Sequence, residues 1–239
     1  MKLDVYFTPL GLTAGDLAGR GVVVIDVLRA TTSIVAALAS GARAVVPAAT
    51  SEEAVKMTAN LERDGFVLAG ERKYLSIPGF ALGNSPREMT PEQVGGKTVY
   101  LATTNGTPAL VAAQGADAVL VGAAINFSAL AERARALFVE RSDLAIICAG
   151  HEKQFALEDA YVAGRLVKDV KKRLRRVELN DGAGVALALT QRYKDWQDAL
   201  KTCEAGRTLQ ALGLGDDVRF SAQVDQFANV PIYSERRIT

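Results

Sequence analysis

Oxygen-rich and basic side chains gather in this sequence where its short apolar runs end. Asp26-Val27-Leu28-Arg29-Ala30-Thr31-Thr32 follows one such run, and Gly70-Glu71-Arg72 follows another before a Gly/Pro loop that reaches Asn84-Ser85-Pro86. Thr103-Thr104-Asn105-Gly106-Thr107 follows a third, and Cys148-Ala149-Gly150, leading on to Glu158-Asp159, follows a fourth. Carboxylates such as Asp26, Glu71 and Asp159 suit a hard divalent cation. Mg²⁺ in particular binds through one or two carboxylates plus a substrate phosphate and keeps several waters. Free N–H groups at helix starts near Thr32 and Thr107 would receive an anion, with Arg29 or Arg72 adding charge. Each feature also has a plain structural reading. Asp26 and Arg29 would then be a local ion pair, Thr103 to Gly106 a helix cap, and the Asn84-Ser85-Pro86 stretch a surface turn. Cys148 would be a small core residue and His151 a surface or supporting one.

The elements that must position these residues alternate in type. Strands are expected at 3–7, 22–26, 44–47, 66–69, 98–102, 118–121 and 144–148, and helices at 31–40, 51–63, 106–113, 127–140 and 155–176. This alternation predicts an α/β fold, layered α/β/α with a largely parallel or mixed central sheet. Ligands in such folds sit at the carboxyl ends of strands. One domain over 1–239 is expected, divisible into two α/β lobes, with a more helical part from about 180 to 239 and a last edge strand at 230–233. Within the helix at 155–176, at ~100° per residue, Asp159 lies about 60° from the apolar stripe and Glu158 nearly opposite it. Asp159 is therefore the carboxylate expected to reach inward, and Glu158 joins it only if a site wraps the helix start. Two segments also read alike: strand, Ala30-Thr31-Thr32-Ser33, Val35-Ala36-Ala37 and Gly41-Ala42, against strand, Ala102-Thr103-Thr104-Asn105, Val111-Ala112-Ala113 and Gly115-Ala116. Either Ala-rich units coincide by chance, or a duplicated unit sets two hydroxyl-rich turns side by side.

Composition removes several chemistries. The 239 residues include one histidine, His151, and two cysteines, which excludes paired-histidine sites and Cys/His zinc clusters. There is no Gly-x-x-x-x-Gly-Lys-Ser/Thr run and no Gly-x-Gly-x-x-Gly. Six positions after Cys148, where the Cys-x5-Arg loop of a cysteine phosphatase needs arginine, stands Gln154, and a haloacid-dehalogenase Asp-x-Asp is interrupted at Leu28. With 28 Lys+Arg against 27 Asp+Glu the chain is near neutral, which argues against a nucleic-acid partner. The basic segment 168–176 reads as a solvated helix face. No signal peptide and no apolar stretch of about 18 residues is evident, so no membrane partner and a cytoplasmic location are expected.

In their order and spacing these motifs resemble the 2-phosphosulfolactate phosphatase (ComB-like) family, from about Asp26 to the Val230-Pro231 ending. The resemblance implies a Mg²⁺-dependent acid phosphatase acting on phosphate esters of 2-hydroxycarboxylic acids. Its named reaction turns 2-phospho-3-sulfolactate and water into 3-sulfolactate and phosphate, a step towards coenzyme M. The positions that match the family pattern are Asp26, Arg29, Glu71, Asn84, Ser85, Thr103, Asn105, Glu158 and Asp159. With the reading of strand ends, Asp26, Arg29, Glu71, Glu158 and Asp159 are expected to be catalytic, and Asp26, Glu71 and Asp159 to hold Mg²⁺. Thr31, Thr32, Arg72, Asn84, Ser85, Thr103, Thr104, Asn105, Gly106 and Gly150 are expected to bind a small anionic substrate. A homodimer follows from family habit. The alternative from another class is a non-catalytic sensor of a phosphorylated or sulfonated acid using the same pocket.

Overall fold

The computed structural model describes residues 1–193 and 195–239, with only the backbone of Ala14. The strands are β1 (Lys2–Tyr6), β2 (Gly21–Ile25), β3 (Ala44–Ala48), β4 (Phe66–Arg72), β5 (Leu75–Ser76), β6 (Thr98–Ala102), β7 (Ala118–Gly122), β8 (Asp143–Cys148), β9 (Glu178–Leu179), β10 (Ile232–Ser234) and β11 (Arg237–Ile238). The helices are α1 (Ala14–Leu17), α2 (Ala30–Ala39), α3 (Ser51–Thr58), α4 (Pro91–Val94), α5 (Gly106–Ala112), α6 (Phe127–Arg141), α7 (Leu157–Val170), α8 (Asp181–Arg192), α9 (Trp196–Thr202), α10 (Glu204–Ala211) and α11 (Gly215–Ser221). All the strands join one sheet in the order β5-β4-β6-β3-β11-β10-β7-β2-β8-β1-β9. The fold is the expected layered α/β type with a mixed sheet.

Two parallel blocks make up this sheet, β4-β6-β3 and β7-β2-β8-β1-β9. The C-terminal hairpin β10-β11 lies between them, antiparallel to β7 on one side and to β3 on the other. The expected edge strand is therefore a central seam. Its ladder pairing with β3 is the single pair Ile238 and Val45. Every residue of β2 is buried, and so is β8 after Asp143. That burial on both faces requires cover above and below, which explains why these strands read as unbroken apolar runs.

Three boundaries depart from expectation in ways that bear on function. β4 continues to Arg72 because Glu71 and Arg72 pair with Ser76 and Leu75 of β5. The helix expected at 155–176 ends at Val170, so most of the basic segment lies beyond it. The helix expected at 51–63 stops at Thr58 and is capped by Thr50, whose hydroxyl accepts from Glu53 N at 3.1 Å.

The two similar segments form matching crossovers. β2-α2-β3 runs from one block to the other, and β6-α5-β7 runs back. Their turns lie side by side. A Cβ added at Gly106 would stand 2.4 Å from Ala30 Cβ and 2.7 Å from Asp26 Oδ2, so only glycine allows the two helix starts to approach this closely. The match differs in register from the sequence reading: Ala30 and Gly106 both open a helix, so Thr31 corresponds to Thr107 and not to Thr103.

Candidate active site

The carboxyl ends of β2, β4, β6 and β8 surround a cavity of about 390 Å³ that spans both parallel blocks. The β2–α2 turn contributes Asp26 and Arg29, the β4–β5 hairpin contributes Glu71, Lys73 and Tyr74, and the loop beyond it contributes Asn84. Thr104 and Asn105 come from the β6–α5 turn, His151 and Glu152 from the turn after β8, and Thr208 from α10. A pocket where strand ends of two blocks meet is the usual place for a ligand in an open α/β sheet.

Asp26 is the first residue past β2 and caps α2 with its side chain, Oδ1 accepting from Ala30 N at 3.2 Å. Thr31 holds the turn shut. Its hydroxyl accepts from Asp26 N at 3.0 Å and donates to Asp26 O at 2.8 Å. Burial pushes Asp26 from the usual carboxylate range up to about 7. The hydrogen bond from Ala30 opposes this rise, the charges of Glu71 and Glu158 add to it, and Arg29 opposes it. Glu71 accepts two backbone hydrogen bonds, Oε1 from Thr104 N at 2.7 Å and Oε2 from Tyr74 N at 2.8 Å. It thereby fastens the β4–β5 hairpin to the β6–α5 turn.

Arg29 lines the cavity with its charge already paired. Its Nη1 donates to Asp217 Oδ2 of α11 at 2.7 Å, with the two side chains 3% and 2% exposed, and Nη2 donates to Tyr74 O at 2.6 Å. Asp217 also accepts from Ser85 Oγ at 2.6 Å. Nothing in the sequence pattern pointed to Asp217, which lies 188 residues from Arg29.

Two hairpin turns roof the cavity. Lys73 and Tyr74 join β4 to β5 with φ of 50° and 69°. Glu152 and Lys153 join His151 to Gln154 with φ of 47° and 65°, closed by His151 N to Gln154 O at 3.0 Å and Gln154 N to His151 O at 2.8 Å. Such two-residue turns ordinarily take Asn or Gly. The two tips meet: the Tyr74 ring stacks on His151 with centroids 5.7 Å apart, and its hydroxyl lies 3.3 Å from Nδ1. Sequence reasoning missed Lys73 and Tyr74 and gave His151 only a supporting place, because neither turn carries a turn-forming residue.

The expected residues thus divide. Asp26, Arg29, Glu71, Asn84, Thr104 and Asn105 line the cavity. Asp159 does not: its oxygens accept from Val27 N at 2.9 Å and Gly150 N at 3.2 Å, bracing the turns after β2 and β8. Burial drives Asp159 well above the usual carboxylate range, with Asp26 and Glu158 adding to it. Glu158 is also buried and raised by burial, and it lines an adjoining cavity of about 250 Å³ that shares His151 as a wall. Thr31, Thr32, Ser85 and Thr103 commit their hydroxyls to the protein: Thr32 to Val27 O at 2.8 Å, Ser85 to Asp217, and Thr103 to Thr107 N at 3.0 Å. Gly106 makes room for Asp26 and Ala30. Gly150 takes φ of 70° beside Gln154 O, where a Cβ would stand only 2.3 Å away. Arg72 is exposed and reaches Ser51 Oγ at 3.4 Å, away from the cavity.

Among the described residues no three His, Cys, Asp or Glu side chains come together as a ready-made metal centre. The donor set nevertheless fits a hard cation that keeps its waters. Asp26 and Glu71 repel each other across the cavity, and Asn84 Oδ1 is buried without a hydrogen-bond partner. An orphaned buried oxygen in a cavity that also holds two carboxylates is a donor that a cation or its water would satisfy.

Fold and site together define an α/β protein with a polar pocket, holding two carboxylates, at its strand ends. The chain belongs to the family described as 2-phosphosulpholactate phosphatase, whose profile matches residues 6–236. A protein of Caldanaerobacter subterraneus subsp. tengcongensis named "Probable 2-phosphosulfolactate phosphatase" is 40% identical over 232 residues, 97% of this chain and 95% of its own. Proteins of the same name from Symbiobacterium thermophilum and Thermus thermophilus are 42% and 43% identical, covering 94% and 90% of this chain and 96% and 88% of their own. No helix among the described residues is long and apolar enough to cross a membrane.

Proposed function

We propose that the protein is a Mg²⁺-assisted cytoplasmic phosphatase for monoesters of small 2-hydroxycarboxylic acids, with 2-phospho-3-sulfolactate as the leading substrate. The observation that carries this reading is the convergence of Asp26, Glu71 and the unpartnered Asn84 Oδ1 in a cavity whose rim bears Lys73. Asp26, Glu71 and Asn84 would hold the cation, directly or through water. When bound it would neutralise phosphoryl oxygens and favour ionisation of a water. Asp26, held at the start of α2 by Ala30 N, is the carboxylate placed to take a proton from attacking water. Lys73, which has no ion pair among the described residues, would meet a second anionic group on the substrate, whereas Arg29, already paired with Asp217 and Tyr74 O, stiffens the wall. Asp159 keeps two turns in register and stays out of the chemistry.

The test is phosphate release from a panel of phosphorylated 2-hydroxy acids. Turnover with Mg²⁺ that is lost with EDTA and restored by Mg²⁺ is the expected result. Thermal stabilisation by these esters without any turnover would instead establish a sensor.

A further inference from the structure

We propose that His151, held in place by Tyr74, donates the proton that the leaving oxygen of the ester requires; this rests on the phosphatase reading. The leaving group of a 2-hydroxy acid ester is an aliphatic alkoxide, too basic to depart without a proton at neutral pH. Imidazole is the side chain that most readily exchanges a proton there. His151 is the chain's one histidine and shares the cavity wall with Asp26 and Glu71.

Its orientation is fixed twice. The stacked Tyr74 ring sets the plane of the imidazole, and the Tyr74 hydroxyl at 3.3 Å occupies Nδ1, which leaves Nε2 as the free nitrogen. The backbone beneath this pair is strained, since four residues without glycine's freedom, Lys73, Tyr74, Glu152 and Lys153, stand at positive φ. Each such conformation is costly without glycine and persists where surrounding contacts impose it. Those contacts come from the cavity itself: Arg29 Nη2 to Tyr74 O at 2.6 Å, Tyr74 N to Glu71 Oε2 at 2.8 Å, and Glu152 N to Asn105 Oδ1 at 3.1 Å. Strain imposed by the site's own residues serves to bring Tyr74 and His151 together above it.

The other candidates are engaged elsewhere. Both oxygens of Glu71 accept backbone hydrogen bonds, and Asp26 serves the cation and the water. Tyr74 is raised by burial, with Glu158 adding to it, so its hydroxyl keeps its proton. The charged groups that share cavity walls with His151 are Asp26 and Arg29 of the β2–α2 turn, Glu71 and Lys73 of the β4–β5 hairpin, Glu158 of α7, Glu204 and Arg207 of α10, and Glu152 of its own turn, beside Lys153. Of these, Glu158 lies close enough to feel the imidazolium charge.

In the step itself, the water oxygen bonds to phosphorus and the bond from phosphorus to the C2 oxygen breaks. The electron pair stays on that oxygen, which takes the proton from His151 Nε2. Water's own proton passes to Asp26 and on to solvent, and solvent reprotonates the imidazole.

The test compares 2-phospholactate, with a basic leaving group, and p-nitrophenyl phosphate, whose leaving group needs no proton. His151→Asn is expected to lose about 10²–10⁴-fold in kcat on phospholactate while nitrophenyl phosphate changes by less than about fivefold. It should also lose the descending limb of the phospholactate pH profile. Tyr74→Phe keeps the stack and loses the hydroxyl, so it should shift that limb with a smaller fall in kcat. Equal losses on both esters, no loss on either, or an unchanged descending limb in His151→Asn overturn the proposal. Should His151→Asn unfold, as circular dichroism would show, an unshifted limb in Tyr74→Phe does so. Wild-type protein inactive on every ester refutes the phosphatase reading instead.

Discussion

The two crossovers carry the same local architecture with different chemistry. In each, the residue just after the strand caps the next helix through a side-chain oxygen: Asp26 Oδ1 from Ala30 N, Thr103 Oγ1 from Thr107 N. In each, a threonine at the second helical position bridges back to the backbone of that capping residue, Thr31 to Asp26 and Thr107 to Thr103. In each, the residue before the helix turns away from it to hold the roof. Arg29 ties down Tyr74 O and Asp217, and Asn105 takes Glu152 N. The difference is that one copy places a carboxylate where the other has a hydroxyl, and the other gives up a side chain, at Gly106, where the first has Ala30. The asymmetry makes room for one charged group at the meeting point of two helix starts, each presenting a positive dipole end.

The strongest way to break this comparison is to make the copies chemically alike. Asp26→Asn keeps the cap acceptor and removes the charge. Phosphatase turnover should fall by about 10³-fold, with the far-ultraviolet spectrum unchanged; near-normal turnover would remove Asp26 from the reaction. The same variant has a signature in stability. In the metal-free fold Asp26 is raised to about 7, against an ordinary value near 3.8. Between those values the unfolded chain ionises the group and the fold resists. The penalty on stability is therefore absent at low pH, grows as pH rises from about 4 to about 7, and is constant above that, on the order of a few kcal/mol. Chemical denaturation across pH should show a shallower decline in Asp26→Asn. Some decline should persist, because Glu158 and Asp159 are raised in the same direction.

How much of this was legible in the sequence follows from what each feature rests on. The central strands follow from unbroken β-branched runs, and the chemistry at their ends follows from strand-end logic alone. The hairpins did not announce themselves. All three two-residue turns, Lys73-Tyr74, Glu152-Lys153 and Glu235-Arg236, place non-glycine residues at positive φ, so the central seam β10-β11 read as an edge and Tyr74 as nothing in particular. The repeat was visible, but Ala and Thr occur in both the loop and the helix, so the match slid by four residues. Asp159 was correctly read as facing inward on its helix. Periodicity does not say whether an inward carboxylate meets a ligand or, as here, two backbone N–H groups.

The roof ties offer a second contrast, because Arg29 is buried with its partner whereas the Asn105 contact is exposed. Asp217→Asn leaves a buried guanidinium without its counter-charge, which should cost about 3–5 kcal/mol, seen as a Tm lower by roughly 10 °C for a chain of this size. Asn105→Ala removes one exposed hydrogen bond and should cost about 1 kcal/mol or less. Similar losses from the two would mean that the roof is held symmetrically and that Arg29 has no special weight.

The smallest effect tests the equivalence of the copies most directly. Thr31→Val and Thr107→Val each keep the volume and delete a buried hydroxyl that both accepts from and donates to the capping residue's backbone. Each leaves a buried N–H and carbonyl short of a partner, worth about 1–3 kcal/mol. If the turns are true counterparts, the two losses of stability should agree to within about 0.5 kcal/mol, the additivity error of independent sites. Their effects on turnover should not agree. Thr31 holds Asp26, so its loss loosens the carboxylate and lowers kcat, while Thr107 holds Thr103, which has no charge to misplace. Equal stability losses with unequal kcat losses would separate what the duplicated architecture supplies from what the single carboxylate adds. Equal losses in both would place the chemistry elsewhere in the cavity.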